Sequence, residues 1–229
     1  TQYEDLLSDL QEYIVKDKYA NYTICNIYYD TPDDLLIRRS IEKPVYKEKL
    51  RIRSYSRADS DSAVFVELKK KYQSVVYKRR ISLPYGEATA WLSREKRTEK
   101  YTQIASEIDY FLDYYGSLHP AVFLSYEREA YFCNDDSDFR VTFDDNILCR
   151  QHDLSLESEV YGMPILPEGK VLMEIKCSGG IPLWMTQVLS KEKIYKTSFS
   201  KYGTAYGMLI FPQTHKTNPY HMLEVATNA

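Results

Sequence analysis

In the segment KPVYKEKLRIRSYS, Lys47, Lys49, Arg51, Arg53 and Tyr55 share one parity, and Leu50 and Ile52 share the other. A strand sends alternate side chains to opposite faces. This spacing therefore predicts a row of cations on one face with apolar packing behind it. The arrangement recurs along the chain. Glu67, Lys69 and Lys71 oppose Val64, Val66 and Leu68, and Lys78 and Arg80 alternate with Tyr77 and Ile81. Tyr126 and Arg128 share a face, as do Arg140, Thr142 and Asp144, and Glu174 and Lys176. A last cluster holds Lys196, Ser198, Ser200 and Lys201. One such strand is an ordinary wet face with cross-strand ion pairs. Five segments alike predict a closed or nearly closed antiparallel barrel, cations inside and apolar faces buried under helices. A lumen crowded with cations calls for a polyanion. Arginine forks match phosphate oxygens in pairs, and the isolated carboxylates Glu67 and Glu174 suit a hard divalent cation that bridges phosphates.

The elements that must position these residues can be read around them. Residues 3–16 predict an amphipathic helix with Leu6, Leu7, Leu10 and Ile14 on one stripe. Residues 22–30, rich in tyrosine and β-branched side chains, predict a strand that stops at Thr31-Pro32-Asp33. Helical sections are expected over 86–99 and over 101–115, the second with the stripe Ile104, Ile108, Phe111 and Leu112. A short helix is expected over 184–190, a hairpin turn at 134–136 and a long irregular loop over 153–169. No repeat or linker divides the chain. The expectation is one α+β domain over 1–212 and a polar tail over 213–229.

Composition narrows the class. At 44% hydrophobic and 28% charged, the 229 residues can bury one large core in water. The longest apolar runs, such as that from Ala121 to Leu124, are far below the roughly 20 residues of a membrane span. No basic and apolar leader opens the chain. Cys25, Cys133, Cys149 and Cys177 have no CxxC spacing, so zinc is not expected and reduced thiols in a cytoplasmic protein are. A net charge of −3 argues against a nucleic-acid binder, and no aromatic stacking platform is read beside the basic faces.

The segments KEKLRIRSYS, VFVELKKKY, VVYKRRISLP, AVFLSYEREAYF, FRVTFDDNI, VLMEIK and TSFSKYGTAY, in this order, resemble the VTC domain. This is the catalytic domain of vacuolar transporter chaperone polyphosphate polymerases and their bacterial relatives, within the triphosphate tunnel metalloenzyme (CYTH-like) superfamily. The resemblance spans about residues 1–210. It implies an eight-stranded antiparallel tunnel surrounded by helices, and transfer of the terminal phosphate of ATP to a growing polyphosphate chain with Mn2+ or Mg2+. It implies phosphate-binding roles for Arg51, Arg53, Lys69, Lys78, Arg128, Arg140, Ser200 and Lys201. Lys49, Arg80 and Lys176 are further basic residues of the same faces. Glu174 would be the metal ligand, with Glu67 a second candidate. Tripolyphosphatase activity and non-catalytic polyphosphate binding are the alternatives. The family opens with a strand of the type R-x-E-x-K-Y before the first helix. Here that strand is expected to be absent, which would leave an open seam, and the stand-alone bacterial form is expected. Arg53→Ala is expected to cost triphosphate affinity and spare folding, with Arg57 as a control outside the tunnel.

Overall fold

The computed structural model describes residues 1–73, 75–135 and 138–214. Most of the tail expected at 213–229, and part of the turn at 134–136, lie outside the described residues. Eight strands form one antiparallel sheet: β1 (Ile14–Asp30), β2 (Tyr46–Ser54), β3 (Ala63–Tyr72), β4 (Val75–Pro84), β5 (His119–Cys133), β6 (Arg140–Arg150), β7 (Met163–Pro164) and β8 (Leu172–Lys176). The order is β4-β3-β2-β1-β5-β6, and the free side of β6 takes β7 near Leu148 and β8 from Arg140 to Asp144. Among the described residues β4 and β8 do not pair, so the sheet curls without closing.

Alternation decides which side of each strand meets helices. On β2, Leu50 and Ile52 are fully buried, and on β3 so are Val64, Val66 and Leu68. They pack under α3 (Tyr85–Leu92) and α4 (Gln103–Tyr115), against Trp91, Ile108, Phe111 and Leu112, with Leu36 of α2 (Leu35–Ile41) in the same core. Thr102 caps α4 by accepting from the N–H of Ala105, and Gly116, at φ 71, ends it. A second outer core joins Val141 and Phe143 of β6 to Leu6 and Leu10 of α1 (Gln2–Leu10) and Met185 of α5 (Leu183–Lys191). The third core lies on the opposite, concave side. There α6 (Lys201–Ala205) runs through a π-helical turn (Tyr206–Ile210) into α7 (Phe211–Thr214). Tyr202, Ala205, Tyr206 and Ile210 meet Ile24, Tyr28, Leu124 and Tyr126.

Three sequence expectations change. The first helix stops at Leu10 rather than continuing to 16, because Ile14 and Val15 enter β1. Ile14 fits the helical stripe after Leu10, but a β-branched pair loses χ1 freedom in a helix and packs well on a strand. Strand β1 thus begins eight residues before the expected 22, with a register shift against β5 between Lys16 and Asn21. The helical section over 86–99 shortens to α3, which ends at Leu92. The irregular loop over 153–169 contributes the two-residue β7. No described helix is long and apolar enough to cross a membrane.

Candidate functional site

Register assembles the concave face in rungs. Tyr28, Arg51, Glu67 and Arg80 lie directly opposite one another across β1, β2, β3 and β4. Glu67 is 1% exposed. Its Oε2 accepts from Nε and Nη2 of Arg51 at 2.8 and 2.6 Å. Its Oε1 accepts from Arg80 Nε at 2.6 Å and lies 2.8 Å from Lys78 Nζ. Arg53 Nε stands 4.0 Å away. Burial opposes the charge of Glu67, but Arg51, Arg53 and Lys78 outweigh it and hold the carboxyl well below the usual range. Arg53 is itself buried, donating to Asn26 Oδ1 at 3.0 Å and to the Tyr126 hydroxyl at 3.1 Å.

The next rung is Lys49, Lys69 and Lys78 on β2, β3 and β4. Like charges directly opposite one another destabilise a sheet. Lys78 leans to Glu67, and Lys49 donates to Ser200 Oγ at 3.3 Å. Lys69 has no hydrogen bond or ion pair among the described residues. It is held below its ordinary value by burial and then by Arg51, and it feels Glu174 and Lys176 of β8 across the curl.

Lys49 falls to about 8 because burial, then Lys47, Lys69 and Arg51, disfavour its ammonium, against the pull of Tyr28. Tyr28 also lies at about 8: burial works against its phenolate, but Arg51, Lys49 and Arg53 prevail. Both groups shed a proton in the folded, empty protein below their ordinary values of 10.5 and 10.0. The unfolded chain then binds more protons between about pH 8 and 10, so empty-protein stability is expected to rise across that window. Affinity for a phosphate chain is expected to fall across it, since the anion needs the ammonium and the neutral phenol. Melting curves and tripolyphosphate titrations at about pH 7 and about pH 9.5 check both signs. A flat response in both would remove this pair from the site.

A second centre forms around Asp144, which is fully buried. Arg128 donates to both its oxygens, at 2.6 and 2.7 Å, and Lys201 Nζ lies 2.6 Å away. Position 201 is set from the concave core: Tyr202 stacks on Tyr28 at 4.6 Å and donates to Asp30 at 2.9 Å, and Ser200 caps α6 through the N–H of Gly203. Glu174 on β8 stays half-exposed, 3.9 Å from Arg128 and 3.2 Å from Lys176. Burial raises its pKa, but Lys176, Lys201 and Arg128 together lower it. Thr142, opposite Glu174, is buried, and its hydroxyl has no hydrogen-bond partner among the described residues. Arg140 stands further along β6, 3.2 Å from the Tyr22 hydroxyl and 3.8 Å from the Asp17 carboxylate, with its Nε buried and without a hydrogen-bond partner among the described residues.

The curl therefore gathers Arg51, Arg53, Lys78 and Arg80 at Glu67, and Arg128, Lys201, Glu174 and Lys176 at Asp144. Lys49, Lys69 and Ser200 fall between these groups, and Arg140 lies apart. Arg57 points elsewhere, to the carbonyl of Glu157 and the carboxylate of Glu159. Glu67, the second metal candidate, has both oxygens taken by cations, whereas Glu174 keeps an exposed carboxylate. Sequence reasoning placed Asp144 on the right face but did not give it the anchoring role. Asn26, Tyr28 and Tyr202 were not singled out. The signal for Asn26 and Tyr28 was available, since both share one parity in a strand otherwise bounded by apolar positions.

Solved structures with this fold include two that cover most of the chain. One is a protein assigned as an adenylate cyclase from Bacillus halodurans, 15% identical, with a TM-score of 0.51 and 87% of each chain covered. The other is an adenylyl cyclase candidate from Hippeastrum with a dominant triphosphatase activity, 16% identical, with a TM-score of 0.52 and 93% of each chain covered. No curated protein sequence matches the chain significantly. The family model of the VTC domain matches residues 1–210. With that match over nearly the whole described sheet and its helices, the chain belongs to the VTC domain family.

Proposed function

We propose that this protein acts on triphosphates as a metal-dependent polyphosphate polymerase, moving the terminal phosphate of ATP onto a growing polyphosphate chain. The observation that carries the reading is the rung of Lys49, Lys69 and Lys78, three cations face to face, with Lys69 unpartnered among the described residues. A chain of phosphates laid along it would neutralise what the empty protein leaves repelling. Arg51, Arg128 and Lys201 would orient the triphosphate, and Lys69 and Lys78 would offset charge on the transferred group. Phosphoryl transfer asks mainly for such positioning and neutralisation.

Glu174 fits a divalent ion of the Mn2+ or Mg2+ kind, which takes one or two carboxylates and otherwise phosphate and water oxygens. Such an ion would neutralise phosphate oxygens between Glu174 and the cations. Mn2+ titrated alone is expected to bind weakly, and with tripolyphosphate present to bind at least tenfold better. Glu174→Gln should remove most of that gain, because a neutral amide is a poor ligand for a hard cation. Calorimetry reads both arms, and tight Mn2+ binding without phosphate would sink the assignment. The activity test is incubation with ATP and Mn2+, followed by electrophoresis of the phosphate products. Long chains support the polymerase, orthophosphate and ADP alone reassign the site to a triphosphate hydrolase, a tripolyphosphatase if it also cleaves added tripolyphosphate, and tight binding without turnover leaves a polyphosphate-binding domain.

A further inference from the structure

At one end of the rungs, away from Lys49 and Ser200, the concave face turns aromatic. Tyr55 follows Arg53 at the end of β2, and its residue stays 41% exposed. Tyr22 and Phe65 meet its ring nearly at right angles, with centroids 5.5 and 5.6 Å away. The Tyr55 hydroxyl accepts from Arg80 Nη2 at 3.3 Å, and the Arg80 guanidinium lies 4.3 Å from the Phe65 centroid. Across the opening, Arg140 stands 4.9 Å from the Phe132 centroid and donates to Tyr22. Tyr22, Phe65 and Phe132 sit opposite Arg128, Arg53 and Arg140 in register, so all three rings share the cation face.

We propose that this aromatic mouth is a nucleobase-stacking site for the nucleoside end of a nucleoside triphosphate whose phosphates lie on the arginine and lysine rungs; the inference rests on the triphosphate reading above. Inorganic phosphate has no use for aromatic rings, whereas every base presents a π face to one. Spacing agrees. Tyr55 is four residues beyond Arg51, one past the end of β2, about 13 Å at the usual rise of an extended chain, room for a triphosphate and ribose between the innermost arginine and the ring. Two perpendicular neighbours and the Arg80 hydrogen bond fix Tyr55 in place, so little side-chain entropy remains to be lost when a planar group lands on it. Arg140, whose Nη2 donates to the Tyr22 hydroxyl and lies 3.8 Å from the Asp17 carboxylate, is the cation of this mouth on β6. Stacking alone does not read base edges, so adenine and guanine nucleotides should bind alike.

The experiment compares ATP, GTP and tripolyphosphate by calorimetry on the parent, Tyr55→Ala and Tyr55→Phe. Tyr55→Ala is expected to weaken both nucleotides about tenfold or more, the scale of one lost base–aromatic stack, while tripolyphosphate binds as before. Tyr55→Phe, which keeps the ring, should restore nucleotide affinity. Equal losses for nucleotides and tripolyphosphate would mean that the ring merely holds Arg80, and would overturn the proposal. Unchanged ATP binding in Tyr55→Ala would overturn it too, while leaving the triphosphate reading intact. Failure of the parent to bind tripolyphosphate would instead defeat that underlying reading.

Discussion

Glu67→Gln is expected to lower the stability of the phosphate-free protein by about 3–5 kcal/mol, the usual cost of removing one partner from a buried charge cluster. The side chain is 1% exposed, and its two oxygens answer Arg51, Lys78 and Arg80 directly, with Arg53 close by. An amide keeps the shape and loses the charge, so buried Arg53 and the partly exposed Arg51, Arg80 and Lys78 are left facing one another. Tripolyphosphate should recover most of the loss, because the ligand brings the negative charge that the carboxylate supplied. Chemical denaturation of parent and variant, with and without tripolyphosphate, reads both effects. A loss that sulfate repairs as well as tripolyphosphate would reduce Glu67 to a generic counter-ion. The pH dependence has a definite sign. The folded pKa of Glu67 is depressed below its ordinary 4.5. Its contribution is therefore complete above that value and is lost as pH falls below it. The parent should lose stability on acidification more steeply than Glu67→Gln does.

Parity made the cation face legible before any fold was known. Lys49, Arg51, Arg53, Lys69, Lys78 and Arg80 needed only the two-residue period of a strand, and their rungs follow once neighbouring strands pair. The stripe of α4 was equally direct, since its buried residues recur at helical spacing. What could not be read depends on which strands the curl brings face to face. Nothing local says that Lys201, far along the chain, closes on Asp144, or that Lys69 feels β8. Nor does sequence say which carboxylates are already neutralised. Glu67 and Glu174 look alike in their strands, yet one is saturated by cations and the other half-open. The aromatic mouth escaped for the same reason. Tyr55 was on the cation face by parity, but Tyr22, Phe65 and Phe132 come from three other strands and converge only in the folded sheet.

Arg53 illustrates how position alters a test that spacing alone suggested. Its donors are engaged by Asn26 and Tyr126, so Arg53→Ala would strand two buried acceptors and lower stability as well as affinity. Lys69 separates the two. It lies between Lys49 and Lys78 and has no bonded partner among the described residues. Lys69→Met keeps the aliphatic stem and removes only the ammonium. The empty protein should become more stable by about 0.5–1 kcal/mol, since two like-charge contacts disappear. Tripolyphosphate affinity should fall by about 1.5–2 kcal/mol, roughly 10- to 30-fold, the scale of one charge-assisted contact made by an exposed lysine. Opposite movement of stability and affinity is the signature of a residue kept for its ligand at the expense of the fold. Arg57→Ala is the control, because Arg57 pairs with Glu159 away from the concave face and should leave tripolyphosphate binding unchanged. Calorimetry at two salt concentrations beside a melting curve makes the measurement, and salt should weaken binding to the parent more than to Lys69→Met. If Lys69→Met melts lower and binds like the parent, the lysine rung is an ordinary wet strand face, and the case for a phosphate chain lying along it fails.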